Sequence, residues 1–202
     1  MSQSNWTIKE ILITAGYGLL VLVAYFVADC LGFLGPFWWV FGSAVGAFIA
    51  AIPYFYINAR EQRYGTVTIL GFIALLYGLI GGTLSNVPYL ICTLLALIIP
   101  DLIRTWKGYD SFSGMLLSFI VFALGHTGAQ LNVWLKPEWC RAQAAAEMGA
   151  MDPTYADRLV DGLGSGGCFV LFVLAVIVCS SLGMLFAKKI LKKTCDKYGV
   201  NH

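Results

Sequence analysis

Six stretches of this chain are each apolar and long enough to cross a lipid bilayer as an α-helix. A hydrocarbon core of about 30 Å needs roughly 20 mostly apolar helical residues. The stretches are residues 11–33, 37–57, 65–84, 87–103, 113–135 and 167–187. Because 59% of the 202 residues are hydrophobic and only 12% are charged, a soluble domain could not cover so much apolar surface. We therefore predict an all-α integral membrane protein, in which residues 1–202 form one six-helix membrane domain.

The positively charged residues are predicted to gather on one side of the membrane. With six spans, one side holds Lys9, Arg60, Arg63, Arg104, Lys107 and the lysines of the basic tail, residues 188–202. The other side holds Lys136, Arg141 and Arg158. Because cytoplasmic loops carry the excess of lysine and arginine, both termini are predicted to be cytoplasmic in a multi-pass protein of the cell membrane. The tail is expected to lie against anionic lipid headgroups.

One predicted external loop, residues 136–165, is much longer than the others. Its alanine-rich part predicts a short helix over residues 142–148. A second short helix is predicted from Pro153 to about Gly162, with Asp152 as its cap. Such a segment either closes over a pocket that opens outward, as gating lids do, or simply connects two spans.

Polar side chains interrupt the end of the fifth apolar stretch. They are His126, Gln130, Asn132 and Trp134. If the helix continues to residue 135, His126, Gln130 and Trp134 share one face. Polar groups at membrane depth cost free energy unless they meet a partner, a cavity or a ligand, so these four are candidate ligand-binding residues. The alternative for His126 is a hydrogen bond within helix packing.

Other aromatic and polar residues near the same side of the membrane extend the list of ligand-binding candidates. They are Trp38, Trp39, Asn86, Tyr89 and Tyr155. Trp38 and Trp39 also suit a simpler role as anchors at the membrane interface. At the opposite side, Asp101 and Arg104 are predicted to form an ordinary surface pair. The inner halves of the helices are expected to be apolar, which argues against a continuous pore.

The sequence lacks the motifs of several enzyme classes. It has no GxxxxGK[ST] loop for ATP hydrolysis, and G-x-S-x-G fails because residue 163 is leucine. His126 and His202 are the only histidines, and the six cysteines have no metal-ligand spacing. No basic cluster with interleaved aromatics indicates nucleic acid. We therefore predict a non-catalytic protein without a metal centre. Cys30, Cys140 and Cys168 are predicted to lie on one side of the membrane.

Small residues recur at helical spacing in the first two spans. Ala24 and Ala28 lie four residues apart, as do Gly42 and Gly46. Thr14 and Gly18 form a looser pair of the same kind. Small residues at this spacing let helices approach closely, either within one chain or between chains.

The arrangement of spans and loops resembles the MptD, or Trep_Strep, family, whose members are treated as substrate-binding S components of energy-coupling factor (ECF) importers. The resemblance is most specific in residues 152–199, DPTYADRLVDGLGSGGCFVLFVLAVIVCSSLGMLFAKKILKKTCDKYG, a loop followed by a glycine-bearing last helix and a lysine-rich tail. Residues 41–80, FGSAVGAFIAAIPYFYINAREQRYGTVTILGFIALLYGLI, also resemble the family. The similarity extends over nearly the whole chain.

This resemblance implies capture of a scarce nutrient from outside the cell and its delivery by reorientation within a complex. The partners would be a transmembrane coupling subunit and two ATP-binding subunits. Contact with the coupling subunit would use Ala24 and Ala28, or Thr14 and Gly18.

Haem is the favoured ligand, and a vitamin-like molecule is the next. His126 would be a possible haem-iron ligand, with aromatic and sulfur-containing side chains as walls. The alternatives are a stand-alone small transporter or scaffold, and a haem-binding membrane anchor.

Overall fold

A computed structural model describes residues 6–80 and 86–200, and within these ranges the protein is helical, with no strand. The helices are α1 Ile8–Asp29, α2 Pro36–Arg60, α3 Thr66–Ile80, α4 Val87–Lys107, α5 Phe112–Gly125, α6 Asn132–Leu135, α7 Pro137–Met148, α8 Tyr155–Leu163, α9 Gly166–Ile190 and α10 Lys192–Tyr198. A 3-10 helix, Cys30–Leu34, follows α1 directly. The prediction of an all-α protein agrees with this architecture.

Four helical segments of the described ranges are long and apolar enough to cross a membrane. They are Ile8–Leu34, Pro36–Arg60, Val87–Lys107 and Gly166–Ile190, and they correspond to the first, second, fourth and sixth predicted spans. The apolar helices Thr66–Leu76 and Phe112–Gly125 are shorter. The third predicted span extends over residues 81–84, which lie outside the described residues.

The fifth predicted span is wrong in its length. α5 ends at Gly125 with His126 as its C-cap, and residues 127–131 form turns instead of continuing the helix. The Thr127 hydroxyl donates to the carbonyl of Leu124 at 2.7 Å, which is a local side-chain bond of the kind that competes with helix. At Gly128 a Cβ would lie 2.6 Å from Cα of Tyr89, so this backbone turns closely against α4. His126, Gln130 and Trp134 therefore do not share a helical face.

The long helices run alternately between two ends of one bundle. We call the end that carries residues 136–165 the loop end, and the end that carries Arg60, Arg63 and Arg104 the basic end. α2 is the most buried of the four long segments, and α1 and α9 pack on it. Gly42 permits the contact with α1, because a Cβ there would lie 2.7 Å from the carbonyl oxygen of Ala28. The small-residue spacing of α2 thus serves packing within the chain.

Asp101 and Arg104 are fully buried, so the prediction of a surface pair is wrong. Asp101 accepts hydrogen bonds from the backbone N–H groups of Val67, at 3.3 Å, and Thr68, at 2.7 Å, at the start of α3. Its carboxylate satisfies donors that the first turn of a helix leaves unpaired. Sequence spacing placed Asp101 and Arg104 together, but it could not show that other helices cover them.

Arg104 joins α4 to α2. Its guanidinium donates to the side-chain oxygen of Asn58, to the carbonyl of Asn58 at 2.9 Å and to the carbonyl of Tyr109 at 2.7 Å. A second buried polar contact links Tyr54 of α2 to Ser118 of α5 at 2.7 Å. The half of the bundle at the basic end, which the distribution of basic residues predicts to be cytoplasmic, therefore contains buried polar side chains, contrary to the expectation of apolar helix halves there.

The basic tail folds back onto the bundle. The Gln62 side chain donates to the carbonyl of Tyr198 at 2.7 Å, and Cys195 and Val200 are buried. Lys192, Lys193 and Lys197 remain exposed. The exposed lysines thus lie at the basic end, while the apolar side of α10 covers α2.

Candidate functional site

A cavity of about 620 Å³ lies at the loop end, between the end of α1, the start of α2 and the helices of the 136–165 segment. Aromatic and apolar side chains form much of its wall, among them Phe26, Phe33, Trp39, Met148 and Leu159. Polar groups also face it, namely Asp29, Cys30, Cys140, Glu147 and Tyr155. Two candidates from the sequence, Trp39 and Tyr155, are therefore brought together in one cavity.

The turn between α1 and α2 shapes the inner wall of this cavity. Gly35 has φ of 142°, a backbone conformation that favours glycine, and Pro36 starts α2 directly after it. Gly32 has no side chain where the indole of Trp39 lies, because a Cβ there would come within 2.9 Å of the ring. The hydroxyl of Tyr155 donates to the carbonyl of Gly32 at 3.2 Å, which ties α8 to this turn.

The segment that covers the cavity is an ordered pair of helices, α7 and α8. The predicted bounds differ from these: α7 begins at Pro137 instead of residue 142, so it is longer than predicted, and α8 begins at Tyr155 instead of Pro153. The prediction of Asp152 as the cap is wrong, because Thr154 occupies the N-cap position of α8. Asp152 accepts from the backbone N–H of Thr154 at 3.0 Å, in the turn that precedes α8. We call α7 and α8 the lid, because they form the outer wall of the cavity.

Ion pairs on the outer surface hold the two lid helices together. Arg141 of α7 pairs with Asp157 of α8 and with Asp161, whose carboxylate lies 2.6 Å from its guanidinium. Arg158 pairs with Asp152. The opposite face of α8 is apolar and buried, with Tyr155 and Leu159 packed inward. The polar face therefore joins the lid helices to each other, and the apolar face joins them to the bundle.

We expect this lid to loosen as the pH falls. The hydrogen bond from Arg141 holds the pKa of Asp161 below its usual range. A carboxyl whose pKa is lowered on folding stabilises the fold at pH values above its unfolded pKa, and this contribution is lost as the pH falls through the lowered pKa. Hydrogen exchange in α7 and α8, corrected for its intrinsic pH dependence, should be about two- to fivefold faster at pH 3 than at pH 6.

The matched test of this prediction uses Arg141→Gln and Lys136→Gln. Arg141→Gln should make exchange in the lid fast already at pH 6 and remove most of its change with pH. Lys136 is exposed and forms no ion pair among the described residues, so Lys136→Gln should behave like the original chain. An unchanged pH profile in Arg141→Gln would contradict the assignment.

The polar groups of the cavity are one phenol, two thiols and two carboxyls. Burial raises the pKa of the Tyr155 phenol to about 12 and the pKa of the Cys140 thiol to about 11, so both are protonated at neutral pH. Among the described residues, Asp29 and Glu147 have no hydrogen-bond or ion-pair partner, and no lysine or arginine lines the cavity. Cys30 and Cys140 are free thiols.

His126 lies outside this cavity. Its ring stacks on Tyr25, with centroids 4.6 Å apart, and packs against Phe122 at 4.4 Å. Nδ1 is 2.9 Å from the carbonyl oxygen of Phe122, and Nε2 is enclosed without a hydrogen-bond partner among the described residues. The structure thus places this histidine in helix packing, away from the cavity wall.

The other sequence candidates on this side mostly connect helices. Asn132 donates to Asn86 at 3.0 Å, and Asn86 caps α4 by accepting from the N–H of Tyr89 at 3.2 Å. Gln130 is buried, with its amide oxygen unpartnered among the described residues, and Trp134 donates to the carbonyl of Leu163 at 3.1 Å. Trp38 is exposed on the bundle surface. None of these side chains lines the cavity.

The four partner-contact candidates lie inside the bundle. Thr14, Gly18, Ala24 and Ala28 are all buried. A Cβ at Gly18 would lie 3.0 Å from the side chain of Ile73, and Ala28 packs on Gly42 and Gly46. Small-residue spacing in α1 therefore reflects contact with α2 and α3 of the same chain. The side of α1 that faces outward carries Leu12, Leu19 and Val23.

Sequence reasoning did not select Asp29, Cys30 and Glu147 as site residues. A signal for Asp29 was present, because a carboxyl at the end of an apolar span is a marker of function. Glu147 follows a run of alanines and had no comparable signal. Only the fold shows that α7 brings Glu147 to the end of α1.

These features define the class of the protein as a helical integral membrane protein with a lidded cavity at one end. Residues 8–197 match the model of the Trep_Strep family, described as a hypothetical bacterial integral membrane protein, and the chain belongs to this family. No curated protein matches the chain, and no solved structure matches it either.

Proposed function

We propose that this protein is the substrate-capture subunit of an ECF-type importer and binds a small nutrient in the cavity beneath the lid. The observation that carries the proposal is the cavity itself. Its volume of about 620 Å³ falls within the roughly 300–1,000 Å³ of small-molecule sites. Its apolar and aromatic wall, with a few polar groups, is also typical of such sites.

The chain would depend on other subunits for energy. Its sequence contains no phosphate-binding loop of the GxxxxGK[ST] type. In this proposal two ATP-binding subunits and a transmembrane coupling subunit form the complex, and the capture subunit reorients in the membrane. Because Ala24 and Ala28 are buried, the coupling subunit would contact the exposed apolar side of α1, near Leu12, Leu19 and Val23.

A vitamin-like organic molecule is the ligand class that this cavity favours. Haemin is the second ligand to test, because Met148 lines the cavity and a thioether holds haem iron in other proteins. His126 would not supply the axial bond without moving from its place beside Tyr25.

Filling the cavity should weaken binding of the captured ligand while the protein stays folded. Ala144 lies on α7 and faces the cavity, whereas the neighbouring Ala145 is exposed. We expect Ala144→Trp to lower affinity for the captured ligand by about tenfold or more, because overpacking removes the volume that the ligand occupies. Ala145→Trp is the matched control and should bind normally.

The measurement is mass spectrometry of small molecules that co-purify with the protein in lipid nanodiscs, together with absorption spectra during haemin titration. A molecule retained by the original chain and by Ala145→Trp, but lost from Ala144→Trp, would support capture in this cavity. Equal retention by all three proteins would contradict it.

A stand-alone small transporter is the second candidate, favoured by the buried Asp101 and Arg104 in the inner half of the bundle. Ionisable groups at membrane depth mark transport pathways in many proteins. Proteoliposomes that contain this chain alone distinguish the two proposals. Uptake of the co-purified ligand without other subunits would support the stand-alone transporter, and uptake only with an ATP-driven coupling complex would support the capture subunit.

A further inference from the structure

We infer that the cavity beneath the lid selects a ligand that carries a positive charge on an aromatic or heteroaromatic ring. This inference rests on the proposed function, since it names the ligand class of the same cavity. It follows from the balance of charge in the cavity wall, the aromatic side chains beside the carboxyls, and the charge of the surface around the opening.

Two carboxyl side chains face the cavity from different elements. Asp29 ends α1, and Glu147 lies in the last turn of α7. Neither has a hydrogen-bond or ion-pair partner among the described residues, and no basic side chain lines the cavity. Asp29 and Glu147 are both exposed at this cavity. A ligand that fills the cavity takes these carboxylates out of water, which is costly unless an opposite charge accompanies them. A cationic ligand would supply that charge when the lid closes over it.

The two arginines of the lid are already paired elsewhere. Arg141 binds Asp157 and Asp161, and Arg158 binds Asp152, all on the outer surface of the lid. Neither guanidinium is therefore available to neutralise Asp29 or Glu147 without breaking its own ion pairs. The negative charge of the cavity is uncompensated within the described part of the chain.

Aromatic rings stand beside these carboxyls in the wall. Phe26, Phe33 and Trp39 line the cavity together with Asp29. The face of an aromatic ring attracts a cation, and tryptophan does so most strongly. Flat rings also stack on such walls and bury apolar area. A ring that bears a delocalised positive charge satisfies both the carboxyls and the aromatic side chains.

The charge of the surface around the cavity also favours a cation. Residues 136–165 contain three basic and five acidic side chains, whereas the exposed lysines of the tail lie at the basic end. A field of one sign near a cleft raises the local concentration of ions of the opposite sign. The loop end therefore attracts cations, and an anion such as a dicarboxylate would meet repulsion both outside and inside the cavity.

Three probes of one ring system test this inference directly. They are N-methylquinolinium, a cation; 1-methyl-2-quinolone, which is neutral; and quinoline-4-carboxylate, an anion. Calorimetric titration of the full chain in nanodiscs of zwitterionic lipid measures their affinities. We expect the cation to bind at least about tenfold more tightly than the neutral probe, because only the cation pairs with the carboxyls. The anion should show no saturable binding.

A matched pair of variants locates the effect. Glu147→Gln removes one cavity carboxyl and should weaken binding of the cation about tenfold while leaving the neutral probe unchanged. Glu138 lies on the same helix but outside the cavity. Glu138→Gln should therefore leave the affinities for both the cation and the neutral probe unchanged. Asp29→Asn provides a second, independent test from α1, with the same expected pattern.

Each other outcome overturns the inference. Equal affinity for the cation and the neutral probe, tighter binding of the anion, or no saturable binding of the cation would each contradict it. If the co-purified ligand proves neutral or anionic and is lost from Ala144→Trp, capture in the cavity stands and the charge preference is wrong. If Ala144→Trp retains the ligand, the proposed function itself fails.

Discussion

Asp101→Leu is expected to lower the free energy of unfolding by about 3–5 kcal/mol, because it leaves buried donors at the start of α3 without an acceptor. The carboxylate of Asp101 accepts from the N–H groups of Val67 and Thr68 and from the Thr68 hydroxyl, the last at 2.6 Å. A carboxylate at a helix N-terminus also interacts favourably with the helix dipole. Leucine can replace neither interaction, and the Asp101 side chain is fully buried.

Asp101→Asn separates the hydrogen bonds from the charge. Its amide oxygen can still accept from Thr68, so the loss should be only about 1–2 kcal/mol. Asp196→Asn, at an exposed position of α10, is the control and should change stability little. Reversible unfolding in mixed detergent, followed by helical circular dichroism, measures all three. A stability of Asp101→Leu close to that of the original chain would show that α3 does not need this cap.

Gly183→Leu is expected to separate α9 from α2 and to destabilise the fold by about 3 kcal/mol or more. At Gly183 a Cβ would lie 2.7 Å from the carbonyl oxygen of Phe48 and 2.9 Å from Cα of the same residue. These are backbone atoms, so they cannot move aside as a flexible side chain would. The two helices must shift apart, and the contacts along their shared length are then lost.

The matched control for this contact lies on the same helix. Gly183→Ala should destabilise by about 1–3 kcal/mol, since even one methyl group meets the backbone of α2. At Gly167, near the start of α9, a Cβ would meet nothing within 4 Å. Gly167→Ala should therefore be neutral or slightly stabilising, because alanine has the higher helix propensity. Equal effects of the two alanine substitutions in the same unfolding measurement would contradict close packing at Gly183.

The long spans could be predicted from the sequence because each is a continuous apolar stretch of the right length. The end of α5 could not. Residues 125–135 look like a continuing span by composition, but the backbone of Gly128 turns against α4 and the Thr127 hydroxyl bonds back to Leu124. The pattern of apolar residues in the sequence carries no information about such local hydrogen bonds and close contacts. The prediction that His126, Gln130 and Trp134 share one helical face assumed that α5 continues to residue 135. Because α5 ends at Gly125, this prediction is wrong.

The cavity was only partly foreseeable. Aromatic character near one side of the membrane pointed to Trp39 and Tyr155, and the length of the 136–165 segment suggested a cover. Asp29 and Glu147 are far apart in the sequence, so their approach depends on how the lid folds over the end of α1. The small-residue spacing of Ala24 and Ala28 was ambiguous for a different reason. Close helix contact looks the same in sequence whether the second helix belongs to the same chain or to another.

The bonds that hold the two ends of the bundle differ in their access to water. At the basic end, Asp101 and Arg104 are fully enclosed by protein, whereas the ion pairs of Arg141 and Arg158 lie on the outer surface of the lid. Mobile ions weaken exposed pairs at physiological ionic strength, where the screening length is about 8 Å, and they leave enclosed groups nearly untouched. The salt concentration should therefore change how often the lid opens. The rest of the bundle should keep its structure over the same range of salt concentration.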